Sequence, residues 1–261
     1  MTAYRNLLVA RDGGVATLTV NRPDKLNALD RDTIGELTAA VAEFEADDGV
    51  GVVVLTGAGD KAFIAGADIG MLAEQGVLDG RCNAVAGQAL TLHIERSRKP
   101  YLAAINGFAL GGGLEMALAC DMRFAAQTAK LGLPEVGLGI IPGYGGTQRL
   151  PRLIGMGPAL ELILTGDHVT ADEALRVGLV NKVFAKETLM QDVMAVAKKV
   201  LSRGQNAVAL AKEAARRGYP GTLEEGLAIE SDLFGVISST AEMREGLRAF
   251  LEKRKPTWLR T

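Results

Sequence analysis

The sequence is poor in the residue types that build metal centres, disulfide frameworks and nucleophilic triads. Its 261 residues include only two cysteines and two histidines. Cys82 and Cys120 match neither a metal-binding pattern nor a disulfide framework, so a reduced, cytoplasmic setting is expected. His93 and His168 lack the spacing of metal ligands, and no G-x-S-x-G segment marks a serine hydrolase. We therefore expect no metal site.

The sequence also has no large excess of positive or negative charge, and it has few long apolar runs. The formal net charge is −2, with acidic and basic residues mixed along the chain, which predicts neither a nucleic-acid surface nor a membrane anchor. The first residues lack the continuous apolar segment of a secretory leader. The most apolar stretch, residues 101–120, contains Asn106, Glu115 and four glycines, so it is interpreted as strand, loop and helix rather than as a membrane span.

Apolar periodicity predicts strands that alternate with helices in the first two thirds of the chain and helices thereafter. The predicted strands are residues 7–11, 15–21, 50–56, 101–105, 122–125 and 180–184. The predicted helices are one capped by Asp30, then residues 81–98, 112–119, 148–154, 159–164, 171–177, 186–202, 206–217, 223–238 and 241–253. Residues 70–80 follow no clear pattern. This order of elements indicates an α/β core.

Two glutamates stand out between Ala104 and Arg149. Glu115 follows a triple glycine and is surrounded by apolar residues. Glu135 follows a proline, and the residues from Val136 to Gly146 carry no charge. A carboxyl group that is removed from water has a raised pKa, and two carboxyl groups in different surroundings can divide acid and base roles.

Simpler interpretations compete with a catalytic one. Glu115 could favour the helix dipole as a first-turn residue, and Glu135 could pair with Arg149 or Arg123. The triple glycine favours the catalytic interpretation, because glycines weaken a helix but leave its first N–H groups uncovered.

A second glycine-containing loop is predicted at residues 57–68, after the apolar strand Val52 to Leu55. Two such loops could direct two N–H donors at one carbonyl oxygen, which favours enolate chemistry.

Three segments resemble the enoyl-CoA hydratase (crotonase) family: AGAD at 65–68, INGFALGGGLEMALACD at 105–121 and LPEVGLGIIPGYGGTQRL at 133–150. The resemblance covers essentially the whole chain. It implies a crotonase-like α/β spiral of β-β-α units over residues 1–200, followed by a helical oligomerisation region over residues 201–261. It also implies a homotrimer or a hexamer built as a dimer of trimers.

The resemblance assigns roles to four residues. The N–H groups of Ala67 and Gly112 would form the oxyanion hole, and Glu115 and Glu135 would be the catalytic acids and bases. In such a hydratase both glutamates hold one water, with Glu115 on the base side and Glu135 supplying the proton to the α-carbon. The implied activity is reversible syn addition of water to a short-chain 2-enoyl-CoA. Fatty-acid β-oxidation is one of several pathways that use such lyases.

The resemblance further implies contacts with an acyl-CoA substrate and no separate cofactor. Gly70 replaces a lysine that many relatives place near the CoA phosphates, so one charge contact is expected to be missing. Residues 71–79 would form the floor of the acyl pocket. Phe234 and Lys253 would reach the CoA of a neighbouring subunit, although Phe234 could be a core residue and Lys253 a solvated one. The implied substrate-binding residues are Ala65, Ala67, Asp68, Ile69, Gly70, Gly112, Gly143, Phe234 and Lys253.

The superfamily supports several functions on one fold, so alternatives remain. A double-bond isomerase of the same fold is one, but such enzymes often lack the first glutamate, and Glu115 is present. A non-catalytic relative that binds acyl-CoA or RNA is another, and the lack of a basic stripe argues against RNA. A dinucleotide-binding enzyme is disfavoured because Gly107 to Gly113 does not fit the G-x-G-x-x-G spacing.

Overall fold

A computed structural model describes residues 4–258. The strands are β1 (Leu7–Asp12), β2 (Val15–Val20), β3 (Val52–Gly57), β4 (Ala62–Ala65), β5 (Tyr101–Ile105), β6 (Phe108–Leu110), β7 (Met122–Ala126), β8 (Lys130–Gly132), β9 (His168–Thr170) and β10 (Lys182–Phe184). The helices are α1 (Arg31–Ala46), α2 (Ile69–Ala73), α3 (Val77–Arg96), α4 (Gly112–Ala119), α5 (Gly146–Ile154), α6 (Met156–Thr165), α7 (Ala171–Arg176), α8 (Leu189–Leu201), α9 (Gln205–Gly218), α10 (Leu223–Ser238) and α11 (Ala241–Leu251). Two 3₁₀ helices span Pro23–Lys25 and Pro134–Leu138.

The larger sheet has six strands in the order β1-β2-β3-β5-β7-β10. The β1–β2 hairpin is antiparallel and every later pair is parallel. Its central strands are apolar on both faces: Val53 belongs to the main core, whereas Val54 packs in a second cluster with Leu189 and Val193 of α8. A parallel sheet that is covered on both faces requires such continuous apolar strands, which explains the run Val52 to Leu55.

The smaller sheet has four strands in the order β4-β6-β8-β9, of which β4, β6 and β8 run parallel. The strand pairs β3–β4, β5–β6 and β7–β8 each place their first strand in the larger sheet and their second in the smaller one. Helical segments follow each pair: α2 and α3, α4, and the second 3₁₀ helix with α5. This repetition is a spiral of β-β-α units, so the predicted fold class is confirmed.

Local sequence signals explain several helix starts. Asp30 caps α1 by accepting a hydrogen bond from the Thr33 N–H at 2.8 Å, as predicted. Helix α3 begins at Val77, four residues earlier than predicted, and the Asp79 carboxylate accepts from the Gly76 N–H just before it. Thr222 and Glu225 form a reciprocal capping box at the start of α10.

The predicted strands of the larger sheet are all present, whereas the smaller sheet was missed. Residues 57–68 were expected to be a continuous loop, and this expectation is wrong because Ala62–Ala65 forms β4. Likewise β9 interrupts the C-terminal part that was expected to stay helical until residue 180. Strands of three or four residues are too short for alternation to show. No helix between residues 4 and 258 is long and apolar enough to cross a membrane.

Candidate active site

Three parallel strands bring the three predicted site loops to one edge of the smaller sheet. In the strand register Ala65 of β4 lies beside Leu110 of β6, and Leu110 lies beside Gly132 of β8. Neighbouring strands are about 4.8 Å apart, so the segments that leave these three residues emerge as close neighbours. The loop before α2, the N-terminus of α4 and the second 3₁₀ helix therefore meet at one place.

Two backbone N–H groups at this edge have no partner within the described residues. Leu29 bonds the residues on either side of Ala67: its N–H donates to Gly66 O at 2.8 Å, and its carbonyl accepts from Asp68 N at 2.8 Å. This pairing fixes the loop and leaves the Ala67 N–H without a hydrogen bond. Gly112 is the first residue of α4, and its N–H is also unpaired among residues 4–258, as expected for a helix N-terminus. Both residues line one cavity.

Glu115 is held in place by backbone groups from a distant loop. Its side chain lies in the first turn of α4 and is 1% exposed. Its Oε1 accepts hydrogen bonds from the N–H groups of Tyr144 at 2.8 Å and Gly146 at 2.7 Å. Burial raises the pKa of Glu115, and these two N–H donors partly oppose that rise. The carboxylate is thus fixed in direction by donors that favour its charged form.

Glu135 occupies a different environment. It lies in the second 3₁₀ helix, is 8% exposed, and its Oε2 is buried without a hydrogen-bond partner among the described residues. Burial, with a smaller contribution from the charge of Glu115, raises the pKa of Glu135 to about 7. Because burial outweighs the opposing contribution of the Glu135 backbone N–H, the protonated form of Glu135 is favoured up to about neutral pH. The two glutamates therefore suit opposite proton-transfer roles.

The alternative that Glu135 pairs with an arginine is wrong. Arg149 forms its ion pair with Glu95 at 2.7 Å. Arg123 donates to the carbonyl oxygens of Cys120 and Leu179, both at 2.9 Å. Both arginines therefore serve structural contacts, and Glu135 has no ion pair within the described part of the chain.

A cavity of about 1040 Å³ contains both glutamates. This volume is at the upper limit of typical small-molecule sites. From the predicted substrate-binding set, the residues that line it are Ala65, Ala67, Ile69, Gly112 and Gly143. Of the expected pocket floor, Leu72 and Gln75 line the cavity.

The remaining predicted substrate contacts lie elsewhere. The Asp68 carboxylate caps α2 through the Gly70 N–H and contacts Arg22 at 3.5 Å. Phe234 on α10 is exposed, so the alternative that it is a core residue is wrong for the single chain. Lys253 is exposed just after α11. Neither lines the cavity, and their predicted role in a neighbouring subunit stays a prediction.

The sequence did not indicate the residues that hold Glu115. Arg149 Nη1 donates to the Tyr144 carbonyl at 3.0 Å, and Thr91 Oγ1 lies 3.0 Å from the same oxygen. The N–H of that residue in turn holds Glu115. Thr91 is 53 residues from Tyr144, so no local pattern could reveal the pairing. The two peptide groups of Tyr144 thus connect Arg149 and Thr91 to Glu115.

Comparison with known proteins places this geometry in a family. A family model for enoyl-CoA hydratase/isomerase matches residues 10–261. The chain is 47% identical to crotonyl-CoA hydratase of Syntrophomonas wolfei, over 98% of this chain and 99% of the relative. It is 48% identical to short-chain-enoyl-CoA hydratase of Clostridium acetobutylicum, over 96% of each. It superposes on a crystal structure of enoyl-CoA hydratase from Bacillus anthracis with a TM-score of 0.95, at 42% identity, covering 97% of this chain and 99% of that one. The chain belongs to the enoyl-CoA hydratase/isomerase family.

Proposed function

We propose that this protein is an enoyl-CoA hydratase, a lyase that reversibly adds water across the 2,3 double bond of a short-chain 2-enoyl-CoA. One observation carries the proposal: Glu115 and Glu135 line one cavity in different environments, beside two N–H groups that have no partner among residues 4–258. Two similar relatives are named as hydratases of crotonyl-CoA and of short-chain enoyl-CoA, which supports the substrate class.

In the proposed reaction the two glutamates together carry one proton, which is on Glu135 before hydration and on Glu115 after it. A water molecule lies between them, and its oxygen attacks the β-carbon while the Glu115 carboxylate takes one of its protons. The electrons of the double bond move to the thioester oxygen, where the N–H groups of Ala67 and Gly112 stabilise the enolate. Protonated Glu135 then gives its proton to the α-carbon. The result is a 3-hydroxyacyl-CoA, with the proton now on Glu115.

Substrate recognition is proposed for residues around this centre. Ala65, Ala67, Ile69, Gly112 and Gly143 line the cavity. Ala65, Ala67 and Ile69 would line the adenine and pantetheine path, and Gly143 would shape the pocket beside Glu135. Asp68 and Gly70 lie at the start of α2, on the side where the CoA would lie. The acids, bases and N–H donors of the reaction all come from the protein, and we propose that it uses no separate cofactor.

We further propose that the protein is a cytoplasmic homotrimer, or a hexamer of two trimers. The C-terminal helices leave apolar side chains uncovered in the single chain: Leu223, Leu227 and Phe234 on α10, and Leu247, Phe250 and Leu251 on α11. Exposed apolar patches of this kind mark protein–protein interfaces. Phe234 and Lys253 would then lie near the CoA of an adjacent subunit. Fatty-acid β-oxidation is the proposed setting.

The direct test is loss of the conjugated-thioester absorbance of crotonyl-CoA. Fast loss of absorbance with formation of 3-hydroxybutyryl-CoA supports the proposal. If the protein leaves crotonyl-CoA unchanged but moves the double bond of a 3-enoyl-CoA, the isomerase alternative replaces it. Binding of crotonyl-CoA without turnover in either assay would instead indicate a non-catalytic relative.

The pH dependence of this reaction follows from Glu135. The pair must hold one proton, and burial raises the pKa of Glu135 to about 7. Above that pH Glu135 loses the proton that it must give to the α-carbon, so kcat/KM for hydration is expected to fall about tenfold per pH unit. Dehydration starts from the same number of bound protons, with the proton on Glu115, so its kcat/KM is expected to fall in parallel. Assays of crotonyl-CoA and 3-hydroxybutyryl-CoA between pH 6 and 9 check this, and a rate that is flat to pH 9 contradicts it.

Thr91→Val is expected to lower kcat about five- to tenfold, the effect of losing about one hydrogen bond. Valine keeps the shape but removes the hydroxyl near the Tyr144 carbonyl, so the N–H that holds Glu115 loses part of its support. KM is expected to stay nearly constant, because the threonine does not line the cavity. Thr38→Val is the matched control, since the Thr38 hydroxyl bonds within α1. A raised KM with unchanged kcat would contradict this role.

A further inference from the structure

The ring of Tyr144 is fixed between two glycines. A Cβ added to Gly87 of α3 would lie 2.0 Å from Tyr144 Cδ1, and one added to Gly112 would lie 3.3 Å from Cδ2. The ring therefore packs between the backbone of α3 and the N-terminus of α4, with 7% of the residue exposed. Hydrogen bonds to Glu115 and from Arg149 hold the two peptide groups of the tyrosine. The backbones of Gly87 and Gly112 therefore confine the ring on two sides, and the hydrogen bonds fix the backbone that carries it.

Helix α3 forms the long wall of the cavity. The α3 residues that line it follow helical spacing on one stripe: Gly80, Asn83, Ala84, Gln88, Leu92 and Glu95. At 1.5 Å per residue this stripe is about 22 Å long. Gly87 lies near its middle, so the Tyr144 ring stands beside the middle of the cavity rather than at either end.

The two ends of this wall differ in chemistry. The N-terminal end of α3 follows α2 and residues 65–70, where the CoA is proposed to lie. The opposite end holds Leu92 with the ion pair of Glu95 and Arg149, and Arg152 of α5 also lines it. An apolar tail that reached this far would remove charged groups from water without replacing their hydrogen bonds, which is unfavourable.

We propose that the Tyr144 ring is the wall that limits the acyl-chain length of the substrate. It packs against Gly112, so it is next to the proposed thioester site, and it lines the cavity between the proposed CoA side and the polar far end. A crotonyl group ends on the near side of the ring, whereas a ten-carbon chain must pass it. This inference rests on the proposed hydratase function and names the feature that selects the substrate.

The test compares kcat/KM for 2-decenoyl-CoA with kcat/KM for crotonyl-CoA in Tyr144→Ala. Removing the ring opens the passage, and the ratio is expected to rise about tenfold or more, as hydrophobic-pocket discrimination allows. Tyr144→Phe is the matched control: it keeps the ring, so the ratio is expected to stay within about threefold of the natural value. Tyr144→Leu fills part of the space and provides an intermediate ratio if the alanine variant folds poorly.

An unchanged ratio in both Tyr144→Ala and Tyr144→Leu, measured on folded protein, would overturn the inference. A Tyr144→Phe ratio that rises as much as that of the alanine variant would also overturn it, because the ring itself would then be irrelevant. The natural protein's turnover of crotonyl-CoA separates this result from the proposed function. If that turnover is fast, the function stands whatever the ratio does.

Discussion

Replacing Glu135 with glutamine is expected to lower kcat for crotonyl-CoA hydration by about 10²- to 10⁴-fold, the usual contribution of a positioned acid or base. Glutamine keeps the size of the side chain and removes the acidic proton. In the proposed reaction that proton goes to the α-carbon. The buried Oε2 of Glu135, which has no hydrogen-bond partner in the described part of the chain, would hold it. Steady-state measurement of absorbance loss gives kcat and KM separately.

Glu115→Gln is expected to lower kcat for crotonyl-CoA hydration by a similar factor, because it removes the proposed base rather than the proposed acid. A glutamine can still accept the Tyr144 and Gly146 N–H groups through its amide oxygen, so the loop geometry is kept. What it loses is the negative charge that takes a proton from water. The two variants together separate the proposed hydratase from an isomerase, because an isomerase that uses one carboxylate would retain double-bond migration in Glu115→Gln.

Glu242 provides a matched control outside the cavity. It is also a buried glutamate whose carboxylate accepts two backbone N–H groups, those of Asn206 at 3.1 Å and Ala207 at 2.8 Å. Glu242→Gln tests the effect of neutralising a buried, N–H-bound carboxylate without touching the site. We expect kcat near the natural value. A loss as large as that of the cavity variants would show that altered folding, rather than chemistry, explains all three.

The sequence predicted the two glutamates that share the cavity better than it predicted the strands that position them. Glu115 and Glu135 could be identified because a single charged residue beside glycines in an apolar stretch is costly to bury and therefore indicates a function. The larger sheet could be found because β3 and β5 are long, apolar runs. Strands β4, β6 and β8 could not, since three or four residues give too little alternation, although their register brings the site loops together. The boundary between residues 1–200 and 201–261 stays a prediction.

Contacts between residues that are far apart in the sequence could not be predicted from the sequence. The Tyr144 N–H meets a glutamate 29 residues away, and Arg149 prefers Glu95, 54 residues away, to the nearer Glu135. Which arginine pairs with which carboxylate depends on how α3 and α5 pack, and periodicity does not report this. The resemblance assigned the oxyanion role to Ala67 and Gly112, but only the structure shows that their N–H groups are unpaired among residues 4–258.

The second large effect is expected from Gly111→Ala, which should lower kcat by about 10²-fold or more. Gly111 has φ +50° and ψ −124°, a conformation that L-residues avoid, and its N–H is tied to Gly132 O at 3.0 Å. An added Cβ would lie 2.8 Å from Glu135 Oε1. The methyl group must therefore displace the proposed acid, shift the start of α4 with the Gly112 N–H, or do both.

Gly137→Ala is the matched control because Gly137 lies in the same 3₁₀ helix as Glu135 and has open space around its Cβ position. Backbone strain at Gly111 costs about 1–3 kcal/mol, so Gly111→Ala should also melt at a lower temperature. Measuring both kcat and the melting temperature separates backbone strain from displacement of Glu135. Strain alone lowers the melting temperature and leaves kcat intact, whereas displacement of Glu135 lowers both. Retention of natural kcat by Gly111→Ala would therefore contradict the prediction that the new methyl group displaces the Glu135 carboxylate, whose Oε1 is the first atom it meets.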